Sequence, residues 1–253
     1  MKNKTIKIFA DNESLADNFV QLLKKNVDAT PEGMFFYIAL SGGSTPKLIF
    51  KYISEHYPGK INWEKIKIFW GDERCVPPGD NESNFKMTNE SLLNNISIPK
   101  ENIFRIHGEA DPNEEAERYS NLMKENVPCK NDVPVFDMIL LGLGKDGHTV
   151  SIFPNQLALF YSDNLCLTTK HPLTNQNRIT ITGKVINNAK RVVFLVTGEN
   201  KAQIVAEIIG AKKNGKIFPA TLVSPSAGEL TWMMDNDSAR LLADEIRSEG
   251  KIR

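Results

Sequence analysis

The chain has 253 residues, and its 31 lysine and arginine side chains balance 31 aspartate and glutamate side chains. This length allows a sizeable buried core, while the balanced charge removes the usual electrostatic argument for a nucleic-acid or membrane surface. Its apolar runs, such as MFFYIAL at residues 34–40, are far shorter than the roughly 20 residues of a membrane-spanning helix.

Two further features bear on the environment of the protein. The N-terminal sequence MKNKTIKIFADNES lacks the apolar core and small-residue cleavage site of a signal peptide, so we expect a cytoplasmic protein. Cys75, Cys129 and Cys166 are far apart and form no C-x-x-C pair. The sequence therefore predicts neither a disulfide framework nor a zinc site.

Strand-like apolar runs alternate with amphipathic helical runs along the chain, which is typical of a parallel sheet covered by helices. Residues 6–10 form the first predicted strand, and the helix after it begins behind Asp11 and Asn12, which are both good N-cap residues. The other predicted strands are 34–40, 66–70, 103–106, 136–141, 165–169, 178–182, 191–196 and 232–235. A second helix is predicted to begin near residue 46. Four further helices are predicted at about 84–95, 113–125, 200–209 and 238–246. We interpret residues 1–253 as one α/β domain with a mainly parallel sheet and helices on both faces.

The segment Ser41-Gly42-Gly43-Ser44-Thr45-Pro46 connects the second predicted strand to a helix. Glycines let the backbone approach a ligand, and the unpaired N–H groups and dipole at a helix N-terminus favour an anion. The segment therefore reads as a phosphate-binding loop, although the Gly-Lys-Ser/Thr ending of a P-loop is missing. The alternative is an ordinary tight turn.

A bound phosphate dianion also needs cationic partners. Lys201 stands at the start of the helix after the strand at 191–196, and Arg178 begins its own predicted strand. Ligands of α/β sheets gather at the carboxyl ends of the strands, so Lys201 is expected on the same rim as Ser41. Both residues remain open to the alternative of a solvated surface cation.

Asp72, Glu73 and Arg74 follow the strand that ends at residue 70, and therefore reach the same rim. Charged side chains at the end of a buried strand favour a functional interpretation, with Asp72 and Arg74 as candidates. We interpret the residues that follow as a loop, stiffened by Pro77 and Pro78.

Gly142, Gly144 and Gly147 have the G-x-G-x-x-G spacing of a dinucleotide-binding turn. That turn normally opens the first βαβ unit and leads into a helix, whereas these glycines come late and Pro154 soon interrupts the chain. We therefore interpret them as a bend that carries Asp146 and His148 onto the rim. A histidine accepts protons near neutral pH, and a carboxylate two residues away can fix its tautomer.

Several motifs together resemble the 6-phosphogluconolactonases. They are SGGSTP (41–46), GDERCVPPGDNESN (71–84), LGLGKDGHTVSIFP (141–154), the RIT run at 178, GENKA (198–202) and WMMD near the end. The resemblance implies a modified Rossmann-like fold, hydrolysis of 6-phospho-D-glucono-1,5-lactone to 6-phosphogluconate in the oxidative pentose phosphate pathway, and no metal or nucleotide cofactor.

The related glucosamine-6-phosphate deaminases share part of this pattern but carry a glutamate where this chain has Phe153. A phenylalanine cannot transfer protons, so the lactonase is favoured over the deaminase. A noncatalytic sugar-phosphate sensor is the other alternative. The only expected partner is a small sugar phosphate, and the oligomeric state is not predicted.

The lactonase hypothesis assigns a role to each candidate residue. Ser41, Gly42, Gly43 and Ser44 would bind the phosphate with Lys201 and Arg178. His148, positioned by Asp146, would activate a water molecule. Arg74 would stabilise the oxyanion or bind hydroxyl groups, with backbone amides as the alternative for the oxyanion. Asp72 would bind hydroxyl groups or tune His148.

Overall fold

The computed structural model describes residues 4–210 and 216–250, which contain twelve strands. In chain order they are β1 (Lys4–Phe9), β2 (Phe36–Leu40), β3 (Ile66–Trp70), β4 (Asp72–Arg74), β5 (Ile103–Phe104), β6 (Cys129–Lys130), β7 (Val133–Pro134), β8 (Met138–Leu141), β9 (Cys166–Lys170), β10 (Asn177–Ile181), β11 (Arg191–Val196) and β12 (Glu229–Asp235).

The described residues also contain seven α-helices, with 3₁₀ turns at several junctions. The helices are α1 (Asn12–Asp28), α2 (Ser44–His56), α3 (Asn84–Ser91), α4 (Pro112–Asn126), α5 (Gly183–Ile186), α6 (Ala202–Ile209) and α7 (Asp244–Gly250).

Seven strands form one parallel sheet in the order β1-β12-β11-β8-β2-β3-β5, flanked by helices. All four residues of β8 are buried, as expected for a central strand covered on both faces. This architecture confirms the predicted mainly parallel α/β fold. The strand order reverses between β2 and β8, so the carboxyl ends of these two strands open the crevice in which ligands of such sheets bind.

Helix starts follow local side-chain chemistry. The Asp11 carboxylate accepts a hydrogen bond from the backbone N–H of Ser14 at 2.8 Å and caps α1, so Asp11 is the one of the two predicted candidates that serves as the N-cap. In the same way, Asp111 caps α4 and Pro112 occupies its first turn, where a missing N–H costs nothing. These caps fix where the helices begin and hence how the strands before them end.

A second, antiparallel sheet has the order β4-β10-β9. Residues 72–74, for which the sequence predicted no strand, form β4 and pair with β10. Three consecutive charged residues do not show the alternation of a strand, and their pairing partner lies about a hundred residues further along the chain. This small sheet brings Arg178 of β10 directly opposite Arg74.

Other predicted boundaries also shift. The helix predicted at 84–95 ends at Ser91, because Leu92 leaves helical geometry at φ −136°. The strand predicted at 103–106 is reduced to the two residues of β5. The last helix begins at Asp244 and not at 238, because Ser238 binds the Asp235 carboxylate and the Val196 carbonyl and thereby holds the chain in a turn.

None of the described helices is both long and apolar enough to cross a membrane. The three cysteines form no disulfide; Cys166 is buried, Cys75 is half-buried and Cys129 is exposed. Burial raises the pKa of the Cys75 thiol to about 11, which keeps this thiol protonated near neutral pH.

Candidate active site

A cleft of about 340 Å³ opens at the carboxyl ends of β2, β3, β8 and β11. This volume lies within the usual range of small-molecule sites, about 300–1,000 Å³. Nine of the ten sequence-predicted site residues line the cleft, and Asp146 lies behind one of them. The nine are Ser41, Gly42, Gly43, Ser44, Asp72, Arg74, His148, Arg178 and Lys201.

The loop from Ser41 to Ser44 carries the chain from β2 into α2. Gly43 is the N-cap of α2 and has φ +104°, a conformation that disfavours residues with a side chain. The first N–H groups of a helix have no partner within the helix, so those of α2 are oriented to bind an anion. At the next position, the Thr45 hydroxyl lies 2.8 Å from the Thr197 hydroxyl and ties α2 to the end of β11.

Two lysines face the cleft beside this loop. The ammonium of Lys201 donates a hydrogen bond to the Leu143 carbonyl at 2.6 Å. Burial lowers the pKa of Lys201, and the nearby charge of Lys145 lowers it further. Lys145 also lines the cleft but is exposed, and none of the described carboxylates forms an ion pair with it. This part of the cleft therefore carries two positive charges.

Two arginines form the opposite wall. Arg74 and Arg178 face each other across the antiparallel pair of β4 and β10. Their Nε atoms are buried, and neither has a hydrogen-bond partner among the described residues. Burial and the charge of Arg74 lower the pKa of Arg178. Two like charges held side by side with unused donors indicate a place for an anion.

The two carboxylates that precede Arg74 have different positions. The Asp72 carboxylate lines the cleft and accepts a hydrogen bond from the Ser151 hydroxyl at 2.6 Å. Glu73 is buried and accepts hydrogen bonds from the backbone N–H groups of Arg74, Asn84 and Phe85. Glu73 therefore organises the start of α3 and the loop before it, while Asp72 is available to a ligand.

His148 and Asp146 form a tight pair at the mouth of the cleft. The Nδ1 atom of His148 lies 2.6 Å from Oδ1 of Asp146, and the same oxygen accepts a hydrogen bond from the His148 backbone N–H at 3.2 Å. Burial alone would raise the pKa of Asp146, but the hydrogen bonds and charge of His148 outweigh burial and lower it. An ionised carboxylate requires a proton on Nδ1, so the lone pair of the neutral ring lies on Nε2.

The glycines of this segment shape the bend around His148. A Cβ on Gly144 would overlap the His148 ring, and Gly147 has φ +82° with Phe218 packed where a Cβ would project. The segment continues into a 3₁₀ stretch, Pro154–Tyr161, and not into the α-helix of a dinucleotide-binding turn. The bend was therefore interpreted correctly, although the catalytic role of His148 stays a prediction.

Phe153 forms the wall behind the imidazole. It is 1% exposed, and its ring centre lies 4.8 Å from that of His148 and 5.1 Å from that of His171. The Nδ1 atom of His171 accepts backbone hydrogen bonds from Leu173 and Thr174, which holds this second ring in place. The position occupied by a glutamate in the deaminases thus holds an apolar side chain that packs against His148.

Sequence reasoning missed three residues that contribute to the cleft or support it. Lys145 and Asn84 line the cleft, and Ser151 binds Asp72 from behind. Lys145 lies between Gly144 and Asp146, which the sequence analysis singled out. Because side chains in a glycine-rich bend follow no regular period, the direction of the Lys145 side chain could not be predicted. Asn84 is the last residue of the motif that begins at Gly71, and its place in this motif could have identified it as a site residue.

Comparison with known proteins is consistent with this geometry. Residues 10–232 match the family model described as glucosamine-6-phosphate isomerases/6-phosphogluconolactonase. The chain belongs to this family. It is 44% identical over 207 residues to the 6-phosphogluconolactonase of Haemophilus influenzae, covering 81% of this chain and 87% of the relative. The 6-phosphogluconolactonase of Aggregatibacter actinomycetemcomitans is 41% identical over 231 residues, covering 91% of this chain and 94% of that protein.

A solved structure of the family also superimposes closely. The crystal structure of 6-phosphogluconolactonase from Leishmania guyanensis matches with a TM-score of 0.84 at 26% identity. The match covers 95% of this chain and 99% of that chain. The fold of this chain is therefore shared with a solved member of the family.

Proposed function

We propose that this protein hydrolyses 6-phospho-D-glucono-1,5-lactone to 6-phosphogluconate, the lactone-opening step of the oxidative pentose phosphate pathway. Relatives named 6-phosphogluconolactonase are 44% and 41% identical to it over most of its length. One structural observation carries the assignment: His148, backed by Asp146, shares a single cleft with the anion-binding loop at Ser41–Ser44.

The phosphate end of the substrate is the anchor in this proposal. Its oxygens accept hydrogen bonds from the N–H groups of the loop at Ser41–Ser44, and Lys201 and Arg178 neutralise its charge. This end is remote from the bond that breaks, so its binding energy serves to orient the lactone carbonyl toward His148.

The reaction then needs one proton acceptor and one stabiliser of negative charge. Nε2 of His148 takes a proton from a water molecule as its oxygen attacks the lactone carbonyl carbon. The carbonyl oxygen becomes an oxyanion, for which Arg74 is the proposed partner. Collapse of this intermediate re-forms the carbonyl and breaks the bond to the ring oxygen, which receives the proton from His148. Asp146 stabilises the imidazolium between the two transfers, and Asp72 binds substrate hydroxyl groups.

Replacing the proposed base tests this function. His148→Gln is expected to lower kcat by about 10² or more, the scale of general-base assistance, with a smaller change in KM. The measurement is hydrolysis of freshly generated lactone, corrected for spontaneous opening. His56→Gln is a matched control, because His56 ends α2 outside the cleft. Wild-type kcat in His148→Gln would show that another group activates the water.

A further inference from the structure

Asn84 is a buried residue of the cleft wall to which the proposed mechanism gives no role. It is 2% exposed and begins α3. Its backbone N–H donates a hydrogen bond to Glu73 at 2.7 Å, and its backbone oxygen accepts one from Thr88 at 2.9 Å. The main chain is thus fixed on both sides, and the side-chain amide is held in one position.

The orientation of this amide follows from its neighbour. Nδ2 of Asn84 lies 2.9 Å from the backbone carbonyl oxygen of Asp72. A carbonyl oxygen can only accept a hydrogen bond, so the NH₂ group must point to Asp72 and Oδ1 must point the other way. Among the described residues, no group donates a hydrogen bond to Oδ1. The cleft wall therefore presents an acceptor that no described protein group uses and that a ligand in the cleft can reach.

The position of Oδ1 indicates which part of a ligand it meets. A Cβ on Gly42 would overlap Oδ1 and Cγ of Asn84, so this oxygen lies directly against the proposed phosphate loop. Phosphate oxygens of a dianion also accept hydrogen bonds and would repel an amide oxygen. The partner of Oδ1 must be a donor that lies next to the phosphate. In a 6-phospho-1,5-lactone, C5 carries the ring oxygen, so the hydroxyl closest to the phosphate along the carbon chain is that on C4.

We propose that Asn84 is a specificity-determining residue whose Oδ1 accepts a hydrogen bond from the C4 hydroxyl of the sugar lactone. This inference rests on the proposed function, and it adds a requirement for a hydroxyl group on C4. Its bond to Asp72 holds the acceptor in place before the substrate arrives, so little ordering is needed on binding.

Inhibition measurements separate this role from mere support of the loop. In Asn84→Ala, KM for the lactone and the inhibition constant of 6-phosphogluconate are expected to rise about tenfold, the upper range for one neutral hydrogen bond. The inhibition constant of inorganic phosphate, which has no C4 hydroxyl, should stay within about twofold. Asn89→Ala, on the same helix but outside the cleft, is the control. Equal weakening of both inhibitors, or of neither, would overturn the proposal.

A modified substrate tests the same contact without altering the protein. The wild-type enzyme should hydrolyse the 4-deoxy lactone with kcat/KM about tenfold below that for the normal lactone. Asn84→Ala should then show no such preference, because the acceptor is gone. A preference that persists in the variant, or is absent from the wild type, would refute the role of Asn84. Turnover of the normal lactone by the wild type checks the proposed function independently.

Discussion

Asp146 fixes the tautomer of His148, because one oxygen of its carboxylate accepts hydrogen bonds from both Nδ1 and the backbone N–H of His148. The contact with His148 lowers the pKa of Asp146 even though burial acts in the opposite direction. An acid whose pKa is lower in the folded state stabilises the fold when it is ionised. This stabilisation is complete above the unfolded pKa, about 3.9 for aspartate, and is lost as the pH falls through the folded pKa.

The pH dependence of stability should reveal this link. The free energy of unfolding of Asp146→Asn is expected to be lower than that of the wild type above about pH 4, with the difference shrinking at lower pH. Urea unfolding of both proteins between pH 2 and 7 measures it. Asp163→Asn is a control, because Asp163 is exposed and lies outside the cleft. A difference that is constant over the whole range would show that the Asp146 carboxylate is not stabilised by His148.

At the residue scale, contacts could be predicted from the sequence where both residues belong to one short motif. Asp146 and His148 are two positions apart in a glycine-rich bend, so their pairing is local and could be expected. The pairing of Asn84 with Asp72 is not local in this sense, because the loop between them has no regular geometry. Likewise, Arg74 lies opposite Arg178 only because β4 pairs with β10, and the three residues of β4 are too few for this pairing to be predicted from the sequence.

The bend that carries His148 is held by two backbone hydrogen bonds. The backbone N–H of Gly144 donates to the His148 carbonyl at 2.9 Å, and that of Gly147 donates to the Gly144 carbonyl at 3.0 Å. These bonds fold the segment back on itself, so that the imidazole lies over the place where a side chain at Gly144 would project. The bend therefore tolerates no side chain at this position.

Filling that place should lower activity by moving the imidazole. In Gly144→Ala, the new methyl group must displace the imidazole or the Asp146 carboxylate, so kcat is expected to fall by about 10². Gly79→Ala is the matched control, since a Cβ there would meet no atom within 4 Å. Steady-state kinetics and thermal unfolding of both variants test this expectation. Unchanged kcat in Gly144→Ala would mean that the imidazole can move without loss of function.

At the element scale, the long apolar strands and capped helices were predictable because their signals lie within a single element. The continuous apolar run of β8 fits its position at the centre of the sheet. The strands at 165–169 and 178–182 were predicted, but β4 was not, because its partner β10 lies about a hundred residues further along the chain. The turn at Ser238 was missed for a similar reason, since Val196 of β11 supplies one of its hydrogen bonds.

Charge is distributed unevenly over the molecule as a whole. Positive and negative residues balance at 31 each in the chain. Among the described residues, however, four cations and a single carboxylate line the cleft. The cations are Arg74, Lys145, Arg178 and Lys201. This local excess attracts an anionic substrate that the net charge would not attract.

Salt should therefore weaken substrate capture. Raising the ionic strength from about 0.01 M to about 0.1 M shortens the Debye length from about 30 Å to about 10 Å. We expect KM to rise by about twofold to fivefold over this range, with a smaller change in kcat. Lys145→Gln should reduce the salt dependence, whereas Lys124→Gln on α4 should not. A KM independent of ionic strength would show that the cleft charges do not act on the substrate from a distance.

Composition alone could not reveal this asymmetry, because it depends on where the strands end. The order β1-β12-β11-β8-β2-β3-β5 places the reversal between β2 and β8 and collects their loops at one rim. Alternating elements predicted that such a rim exists. The antiparallel sheet and the bend after β8 decide which cations face the cleft, and neither could be predicted in detail from the sequence.

The same strand order constrains how the polypeptide acquires its fold during synthesis. β1 pairs in parallel with β12, so that Ile6 lies opposite Trp232 and Phe9 opposite Asp235. The ribosome therefore releases β1 long before it makes the strand that will lie beside it. Pairing of segments so distant in sequence is slow, and an unpaired apolar strand is prone to association with other chains. We expect the nascent chain to depend on chaperone protection of its first βα unit until β12 has left the exit tunnel.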